Sequence, residues 1–333
     1  MSDRVYCTYF DSGYLSRGRV MIETLREQGD HGLVYVLVLD EAAHVEVSKW
    51  WELDVQVVTL AEIEGTYPQL LAARSGRTPI EYLFTLTPWL THWTLSRVRP
   101  GGWATYLDAD MAFYSSTAPI YELVGEDSIA IVEHRFTWEQ KWRQRYGRFN
   151  VAWVGFRNDE RGQACLNWWA DACLEWCFDE VSDGRFADQG YLDRFPQFPG
   201  VVVLDHPGAD LAPWNLRRHE VSRDSAGSVK VDGEPLIFFH FHGLREEDGR
   251  YFFKHFPYLA HTTPVIRDDV YRPYCELLGR IEVERRSDGE QGSLRPPHDR
   301  KRSFGSHMKR GVDGFLRLVA VRRGDYLDLS ASP

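Results

Sequence analysis

The sequence lacks the features that would place it in a membrane or on nucleic acid. No apolar run approaches the roughly 20 residues that a membrane-spanning helix needs. The residues after Met1 do not read as a signal peptide, because they lead straight into the strand-like run Val5–Phe10. The formal net charge is −10, whereas binding to nucleic acid requires clustered positive charge. We therefore expect a cytoplasmic protein that has no nucleic-acid partner.

Cysteine is scarce, and its pattern does not suit a disulfide framework. The 333 residues include 5 cysteines, and an odd number cannot form a closed set of pairs. Three of them recur at helical spacing within one segment: Cys165, Cys173 and Cys177. We interpret the cysteines as buried thiols and not as a zinc site.

Aromatic residues are abundant, at 14% of the chain with 12 tryptophans. Tryptophan and tyrosine fill cores and also stack on sugars and bases, so the excess suits a carbohydrate or nucleotide site. We predict one domain over residues 1–275 and, over 276–333, a linker and a short basic helical tail. The linker is predicted over Arg285–Ser303, and basic residues cluster at His298–Arg302 and Lys309–Arg310. Such a tail is usually solvated, and weak contact with a membrane surface is the alternative.

The first hundred residues alternate between strands and helices, which is typical of a parallel sheet covered by helices on both faces. In such sheets, ligands bind beyond the carboxyl ends of the strands. The segments Tyr9–Gly13 and Asp108–Asp110 both follow predicted strands. We predict strands at Val5–Phe10, Leu33–Leu39, Val55–Leu60 and Trp103–Leu107, with helices at Tyr14–Gln28, Glu41–Trp51 and Pro79–Arg97, the last interrupted or kinked near Pro88.

Asp108 and Asp110 are the strongest chemical signal in the chain. Side chains alternate along an extended backbone, so the two carboxylates point the same way after the strand. Two converging carboxylates repel each other unless a cation lies between them, and a hard divalent ion such as Mn²⁺ or Mg²⁺ suits oxygen ligands. A D-x-D string also arises by chance in solvated turns. We favour the metal site because this D-x-D string follows a strand.

His240 and His242 end the aromatic run that begins at Phe238. On an extended strand both imidazoles would share one face, and either could be a third ligand of the same ion. Gly243 follows them and would let the backbone approach a phosphate closely. Both histidines could instead satisfy buried polar groups, so the choice between His240 and His242 stays open.

In order, these motifs resemble those of the GT-A fold glycosyltransferases, and in particular the group known as family 8, which uses UDP-linked sugars. The resemblance covers about three quarters of the chain and rests on a Tyr-containing turn, the D-x-D string, Phe149–Asn150, Asp188–Gln189 and the H-x-x-G string that begins at His240. Two further segments, Glu81–Trp89 and Leu211–Leu216, resemble a bacterial group of uncharacterised sugar-nucleotide transferases. The resemblance implies a mixed, mainly parallel α/β sheet flanked by helices.

The resemblance also implies roles for single residues. It assigns nucleotide binding to residues of the first strand and the turn after it, of the helix predicted over Pro79–Arg97, of the metal motif and of the H-x-x-G string: Thr8, Tyr9, Asp11, Tyr82, Asp108 and Gly243. Metal binding falls to Asp108, Asp110, His240 and His242, and contacts with the donor sugar and the acceptor fall to Asn150, Asp188 and Gln189. One departure is clear: Leu244–Glu247 follows Gly243 where the family continues toward a lysine. Arg245 is the predicted substitute for that phosphate-binding lysine.

The implied reaction moves a sugar from a nucleotide-diphosphate donor, with UDP expected, to a hydroxyl group of a glycan, a lipid-linked acceptor or a small molecule. A family 8 enzyme would retain the anomeric configuration, whereas an inverting enzyme would need a base, for which Asp188 is the candidate. A sugar-nucleotide-binding protein or a phosphotransfer enzyme that uses the D-x-D metal site is the alternative.

Overall fold

The computed structural model describes residues 3–287 and 306–330. Its strands are β1 Arg4–Phe10, β2 Leu33–Val38, β3 Val55–Thr59, β4 Trp103–Leu107, β5 Met111–Phe113, β6 Ile129–Glu133, β7 Phe149–Arg157, β8 Val201–Val203, β9 Val221–Arg223, β10 Val229–Val231, β11 Glu234–Pro235, β12 Phe238–His240, β13 Arg245–Glu247, β14 Arg250–Phe252 and β15 Tyr326–Asp328. Its α-helices are α1 Leu15–Glu27, α2 Glu41–Val47, α3 Leu60–Thr66, α4 Gln69–Ser75, α5 Pro79–Leu95, α6 Ala118–Val124, α7 Glu160–Glu175, α8 Arg272–Ser287 and α9 Ser306–Arg323.

A seven-stranded sheet organises the described part of the chain, in the order β3-β2-β1-β4-β7-β6-β8. The first four of these strands run parallel. Strand β7 is antiparallel to both β4 and β6, and β8 is parallel to β6. The prediction of a mixed, mainly parallel α/β sheet is therefore confirmed, and the first turn and the acidic pair both lie at the carboxyl edge of neighbouring parallel strands.

Two predicted helices differ from those in the structure. The helix predicted over Glu41–Trp51 ends at Val47, and a 3₁₀ segment, Trp50–Leu53, turns the chain into β3 through Asp54 at φ +51°. Helix α5 continues through Pro88 instead of being interrupted there. Thr87, Pro88 and Trp89 are all buried, so tertiary packing holds this turn together despite the missing backbone donor.

The sheet is covered on both faces by apolar clusters. One cluster joins the sheet to α5 and α7 and includes Trp169, which is fully buried, as expected for a core tryptophan. The other contains Trp153, whose ring stacks on Phe238 at 5.5 Å between centroids. All five cysteines are buried and free, which confirms that they are buried thiols.

A short pair of strands, β5 and β12, crosses over the end of the sheet next to the acidic pair. The pairing is antiparallel and sets His240 opposite Met111, one residue after Asp110. The backbone N–H of Phe241 donates to the carbonyl of Asp110 at 2.8 Å. This register brings a histidine from late in the chain to the acidic pair.

The C-terminal part packs on the main domain. Strand β15 pairs with β14, and the hydroxyl of Ser16 in α1 donates to the carboxylate of Glu282 in α8. The predicted terminal helix is present as α9. Most of the predicted linker, and the basic stretch His298–Arg302, lie outside the described residues. The domain boundary at residue 275 stays a prediction.

Among the described residues, none of the helices combines the length and the apolar character that a membrane crossing requires.

Replacing Trp153 by alanine should lower the free energy of unfolding by about 3–5 kcal/mol, because the change leaves a large cavity between the sheet and β12. Urea unfolding of the two proteins measures the difference. Trp51→Ala is the matched control: Trp51 is 71% exposed, so its loss should cost no more than about 0.5 kcal/mol. Equal losses for the two variants would contradict this assignment of the core.

Candidate active site

A cavity of about 560 Å³ opens at the carboxyl edge of β1 and β4. Its lining includes several apolar side chains, three histidines and one arginine, together with Asp108 and Asp110. The side chains that line the cavity include Tyr9, Asp11, Leu39, Ile80, Leu83, Phe84, Tyr106, Asp108, Asp110, His134, Phe136, Arg143, Asn150, Gln189, Trp214, His240, His242 and Tyr258.

Asp108, Asp110 and His240 place three ligand-type atoms within 4.8 Å of one another. The imidazole Nε2 of His240 lies 3.1 Å from Oδ1 of Asp110 and 3.9 Å from Oδ2 of Asp108. The other oxygen of Asp108 accepts a hydrogen bond of 3.0 Å from the hydroxyl of Tyr106. The structure thus brings together the two carboxylates and one of the two histidines predicted from sequence.

The protonation states of this cluster depend on one another. Burial opposes a charged imidazole, but the carboxylates of Asp110 and Asp108 outweigh it and raise the pKa of His240 to about 9. Burial alone would raise the pKa of Asp110, but the charge and hydrogen bond of His240 hold that pKa well below its usual value. Burial raises the pKa of Asp108 to about 6. The protonated imidazole therefore supplies the positive charge between the two carboxylates.

Behind His240 lies a carboxylate that sequence reasoning missed. Asp210 is fully buried, and its Oδ1 lies 3.9 Å from Nδ1 of His240. The side-chain amide of Asn150 donates to both carboxylate oxygens of Asp210 at 3.1 Å and lies 3.3 Å from the same imidazole nitrogen. Asn150 and Asp210 therefore hold the imidazole at Nδ1, on the side opposite the nitrogen that faces Asp108 and Asp110. The only signal in the sequence is the position of Asp210 directly before the Leu211–Leu216 segment. In the structure, Asp210 has a backbone φ of +58°.

His242 contacts a lysine instead of the acidic pair. Strand β12 ends at His240, so the two histidines do not share one strand face as predicted, although their ring centroids are still 5.9 Å apart. The Nζ atom of Lys254 lies 3.0 Å from Nε2 of His242. Burial and then the Lys254 charge lower the pKa of His242, which keeps this ring neutral.

Gly243 makes room for that lysine. Its backbone has φ +72°, and a Cβ atom built there would lie 2.3 Å from Cδ of Lys254. Arg245, the predicted phosphate ligand, begins β13 as an exposed residue and does not line the cavity. The hairpin of β13 and β14 separates Gly243 from Lys254 in sequence but brings Lys254 beside His242, which lines the cavity. Lys254 was not predicted from the sequence, because only the residues directly after Gly243 were considered as phosphate ligands.

The residues predicted for the nucleotide fall into two groups. Tyr9 and Asp11 line the cavity, and the Tyr9 ring lies 5.7 Å from that of Tyr106. Thr8 and Tyr82 do not line it: Thr8 is fully buried within β1, and the hydroxyl of Tyr82 donates to Glu64 at 2.8 Å. Thr8 points away because side chains alternate along the strand. The apolar wall near Tyr9 comes instead from Leu39, Ile80, Leu83 and Phe84.

Asp188 and Gln189 also differ in position. Gln189 lines the cavity and donates through its side-chain amide to the carbonyl of Tyr146 at 2.8 Å. Asp188 lies at the start of a 3₁₀ segment without capping it, and its buried carboxyl does not line the cavity. Burial raises the pKa of Asp188 to about 7, a hydrogen bond with Thr87 opposes the rise, and the Asp108 charge adds to it.

Asp188→Asn should stabilise the protein in a pH-dependent way. The pKa of Asp188 is higher in the folded protein than in the unfolded chain, so its contribution is fully present below about pH 4 and is lost as pH rises through about 7. Asparagine avoids the buried charge. We expect the variant to be more stable than wild type by about 1–3 kcal/mol at pH 8, with no gain near pH 4.

Urea unfolding at several pH values between 4 and 8 measures this difference. Asp205→Asn, at an exposed position, is the control and should show no such trend. A stability difference between wild type and Asp188→Asn that does not change with pH would contradict the assignment.

The chain resembles known proteins in its fold and in its sequence. No known family model matches the chain. A solved structure of the galactosyltransferase LgtC, in complex with donor and acceptor sugar analogs, superposes with a TM-score of 0.52 at 14% identity, covering 83% of this chain and 95% of that chain. This likeness identifies the fold as the GT-A fold.

Two relatives from Bacillus subtilis strain 168, the uncharacterized proteins YfnF and YfnD, are each 32% identical to the chain. The matches span 248 and 249 residues, which is 72% and 73% of this chain and 81% and 79% of the relatives. At this identity and coverage, the chain belongs to the family of YfnF and YfnD.

Proposed function

We propose that the protein is a glycosyltransferase that moves a sugar from a nucleotide-diphosphate donor to a hydroxyl group, with a divalent metal ion at Asp108, Asp110 and His240. One observation carries the proposal: two carboxylates after β4 and an imidazole at the end of β12 meet within 4.8 Å in the lining of a 560 Å³ cavity. The GT-A fold is compatible with this activity.

The ligand atoms suit the proposed ion. Two carboxylate oxygens and one imidazole nitrogen match the preferences of Mn²⁺ and Mg²⁺, and Asp210 with Asn150 would orient the imidazole from behind. When bound, the ion would neutralise charge on the diphosphate leaving group. His240 must lose its proton to become a ligand, so binding below about pH 9 releases a proton.

The apolar wall supports a nucleobase site. Tyr9 is held by its ring contact with Tyr106 and by its hydroxyl, which lies 3.3 Å from that of Thr87. A base entering between Tyr9 and the wall of Ile80, Leu83 and Phe84 would stack on the tyrosine ring. UDP is the donor nucleotide that the family 8 resemblance implies, and it remains part of the proposal.

Lys254 is the proposed diphosphate ligand in place of Arg245. Its ammonium group lies beside His242, and a negative charge at Asp110 acts on it. Burial and the neighbouring Arg245 and Arg143 lower the pKa of Lys254, so an incoming diphosphate would relieve the repulsion among these cations. Arg143 lines the same cavity and lies over the ring of Tyr258 at 4.6 Å.

Retention of the anomeric configuration is the stereochemistry that we favour. An inverting enzyme would need a carboxylate at the acceptor hydroxyl, and the carboxyl of Asp188 lies behind Tyr9 and Tyr106 instead of lining the cavity. Gln189 lines the cavity and would contact the donor sugar, while Asn150 would act on His240 through Asp210 and its own amide. A glycan, a lipid-linked sugar or a small molecule would supply the acceptor hydroxyl.

The metal and nucleotide should bind together and stabilise the fold. With Mn²⁺ and excess UDP, the wild-type protein should melt several degrees higher, because a ligand at 100 times its Kd contributes about 2.7 kcal/mol. Asp110→Asn should lose the metal-dependent part of this shift, whereas Asp205→Asn should keep it. Release of UDP from UDP-sugars, measured in parallel, should require Mn²⁺ or Mg²⁺. A full thermal shift in Asp110→Asn would contradict the proposal.

The two candidate phosphate ligands can be separated. Lys254→Gln should weaken UDP binding in the presence of Mn²⁺ by about tenfold or more, because it removes a charge-assisted hydrogen bond to the diphosphate. Arg245→Gln should change the Kd by less than about twofold, because Arg245 is exposed and solvent screens its charge. Calorimetric titration measures both values. A larger effect of Arg245→Gln would restore the arginine as the phosphate ligand.

A further inference from the structure

A second cavity of about 510 Å³ lies next to the proposed active site and meets it at Phe136, which lines both. We call it the Trp138 groove. Its lining combines aromatic rings with long polar and charged side chains: Phe136, Thr137, Trp138, Glu139, Lys141, Gln144, Arg217 and Arg218. Nothing in the proposed donor site uses this surface.

A continuous series of rings leads from the proposed metal ligand to the groove. Trp214 lies edge-on to His240 at 5.1 Å and to His134 at 5.2 Å between centroids. His134 then stacks on Phe136 at 4.7 Å, with the two planes 11° apart. His134, Trp214 and Phe136 all line the active-site cavity, and Phe136 also lines the groove, so a chain-like ligand whose end lies at the active site would contact Phe136 where the two cavities meet.

Trp138 is distinctive because most of its side chain is exposed to solvent. Its side chain is 84% exposed, and the neighbouring Trp142 is 55% exposed. Arg143 lies over the Trp142 ring at 4.6 Å and donates to the carbonyl of Pro257 at 2.8 Å, which fixes one end of this segment. An exposed aromatic ring beside hydrogen-bonding side chains is suited to a sugar ring, which has an apolar C–H face and a hydroxyl edge.

The charge of the groove is opposite to that of the protein. The lining holds the cations Lys141, Arg217 and Arg218 but a single carboxylate, Glu139, which pairs with Arg217 at 3.2 Å. The whole chain carries a formal charge of −10. A local excess of cations in an acidic protein selects an anionic ligand, and arginine binds carboxylate and phosphate groups in a bidentate manner.

We propose that the Trp138 groove binds the part of the acceptor beyond the reacting sugar, and that this part is an oligosaccharide carrying an acidic group, a carboxylate or a phosphate. The inference rests on the proposed function, because that function supplies the reason for a saccharide at the adjoining site. Trp138 stacks on a sugar ring, and Arg217 and Arg218 bind the acidic group. The groove thereby sets the acceptor class.

The test is binding of the full-length protein to an array of oligosaccharides that pairs neutral members with counterparts bearing a uronate, another carboxylate or a phosphate. The wild type should retain acidic members at least about tenfold better than their neutral counterparts. Trp138→Ala and the double variant Arg217→Gln/Arg218→Gln should each reduce this retention by about tenfold or more. Comparison of the uronate and phosphate members identifies the acidic group.

The matched control is Trp51→Ala, which removes an equally accessible tryptophan that lines neither cavity and should leave glycan binding unchanged. Equal retention of acidic and neutral members, no retention of either class, or full binding by Trp138→Ala would overturn the inference. Trp138-dependent binding to vesicles of phosphatidylglycerol, without binding to the array, would overturn it in favour of a membrane surface.

Melting with UDP and Mn²⁺ separates this inference from the proposed function. The Trp138 and arginine variants should keep the wild-type thermal shift, while Asp110→Asn should lose the metal-dependent part of the shift and still bind the acidic glycans. If no nucleotide stabilises any of the proteins but glycan binding still depends on Trp138, the donor proposal fails and the groove stands. If the thermal shift is normal and no glycan of the array is bound, only the proposal for the groove fails.

Discussion

The antiparallel pairing of β5 with β12 is the constraint on which the proposed site depends. The acidic pair ends one strand of the main sheet, and the chain then forms β5 before it leaves this edge. Because β12 pairs with β5 in a register that sets His240 opposite Met111, the imidazole reaches Asp110 across 130 residues of sequence. A slip of one residue would turn the imidazole to the opposite face. The Phe241 hydrogen bond to Asp110 and the packing of Phe238 on Trp153 hold the register.

The negative charge of the two carboxylates can be balanced either by a proton on His240 or by a divalent ion. Two half-buried carboxylates repel each other, and the protonated imidazole of His240 provides the compensating charge in the metal-free protein. A divalent ion would take over that function and would use the same imidazole as a neutral ligand. Asp210 and Asn150 lie on the Nδ1 side of the imidazole, opposite the nitrogen that faces Asp110, so the ring need not move when the proton leaves Nε2. The metal-free arrangement is thus already close to that of a metal site.

The sequence predicted the elements that depend on local pattern. Strands with continuous apolar runs, the Asp108–Asp110 pair after β4 and the helical spacing of Cys165 and Cys173 in α7 are local signals, and the structure has them, whereas Cys177 lies beyond the end of α7. The predicted positions of Thr8 and Tyr82 depended on which face of a strand or helix meets the cavity, and a family resemblance alone does not give that orientation. Lys254 escaped notice because the β13–β14 hairpin separates it from Gly243. Asp210 escaped because its importance comes only from contacts with Asn150 and His240, which are distant in sequence.

The central claim is that Asp108, Asp110 and His240 hold one divalent ion next to the donor diphosphate. A crystal structure of the protein grown with Mn²⁺ and UDP, with anomalous scattering recorded for manganese, tests it most directly. We predict one strong anomalous peak with bonds of about 2.1 Å to both carboxylates and to Nε2 of His240, and diphosphate oxygens completing its coordination. A peak bound by His242 without His240, or a nucleotide bound in the Tyr9 cavity with no metal between the two aspartates, would contradict it.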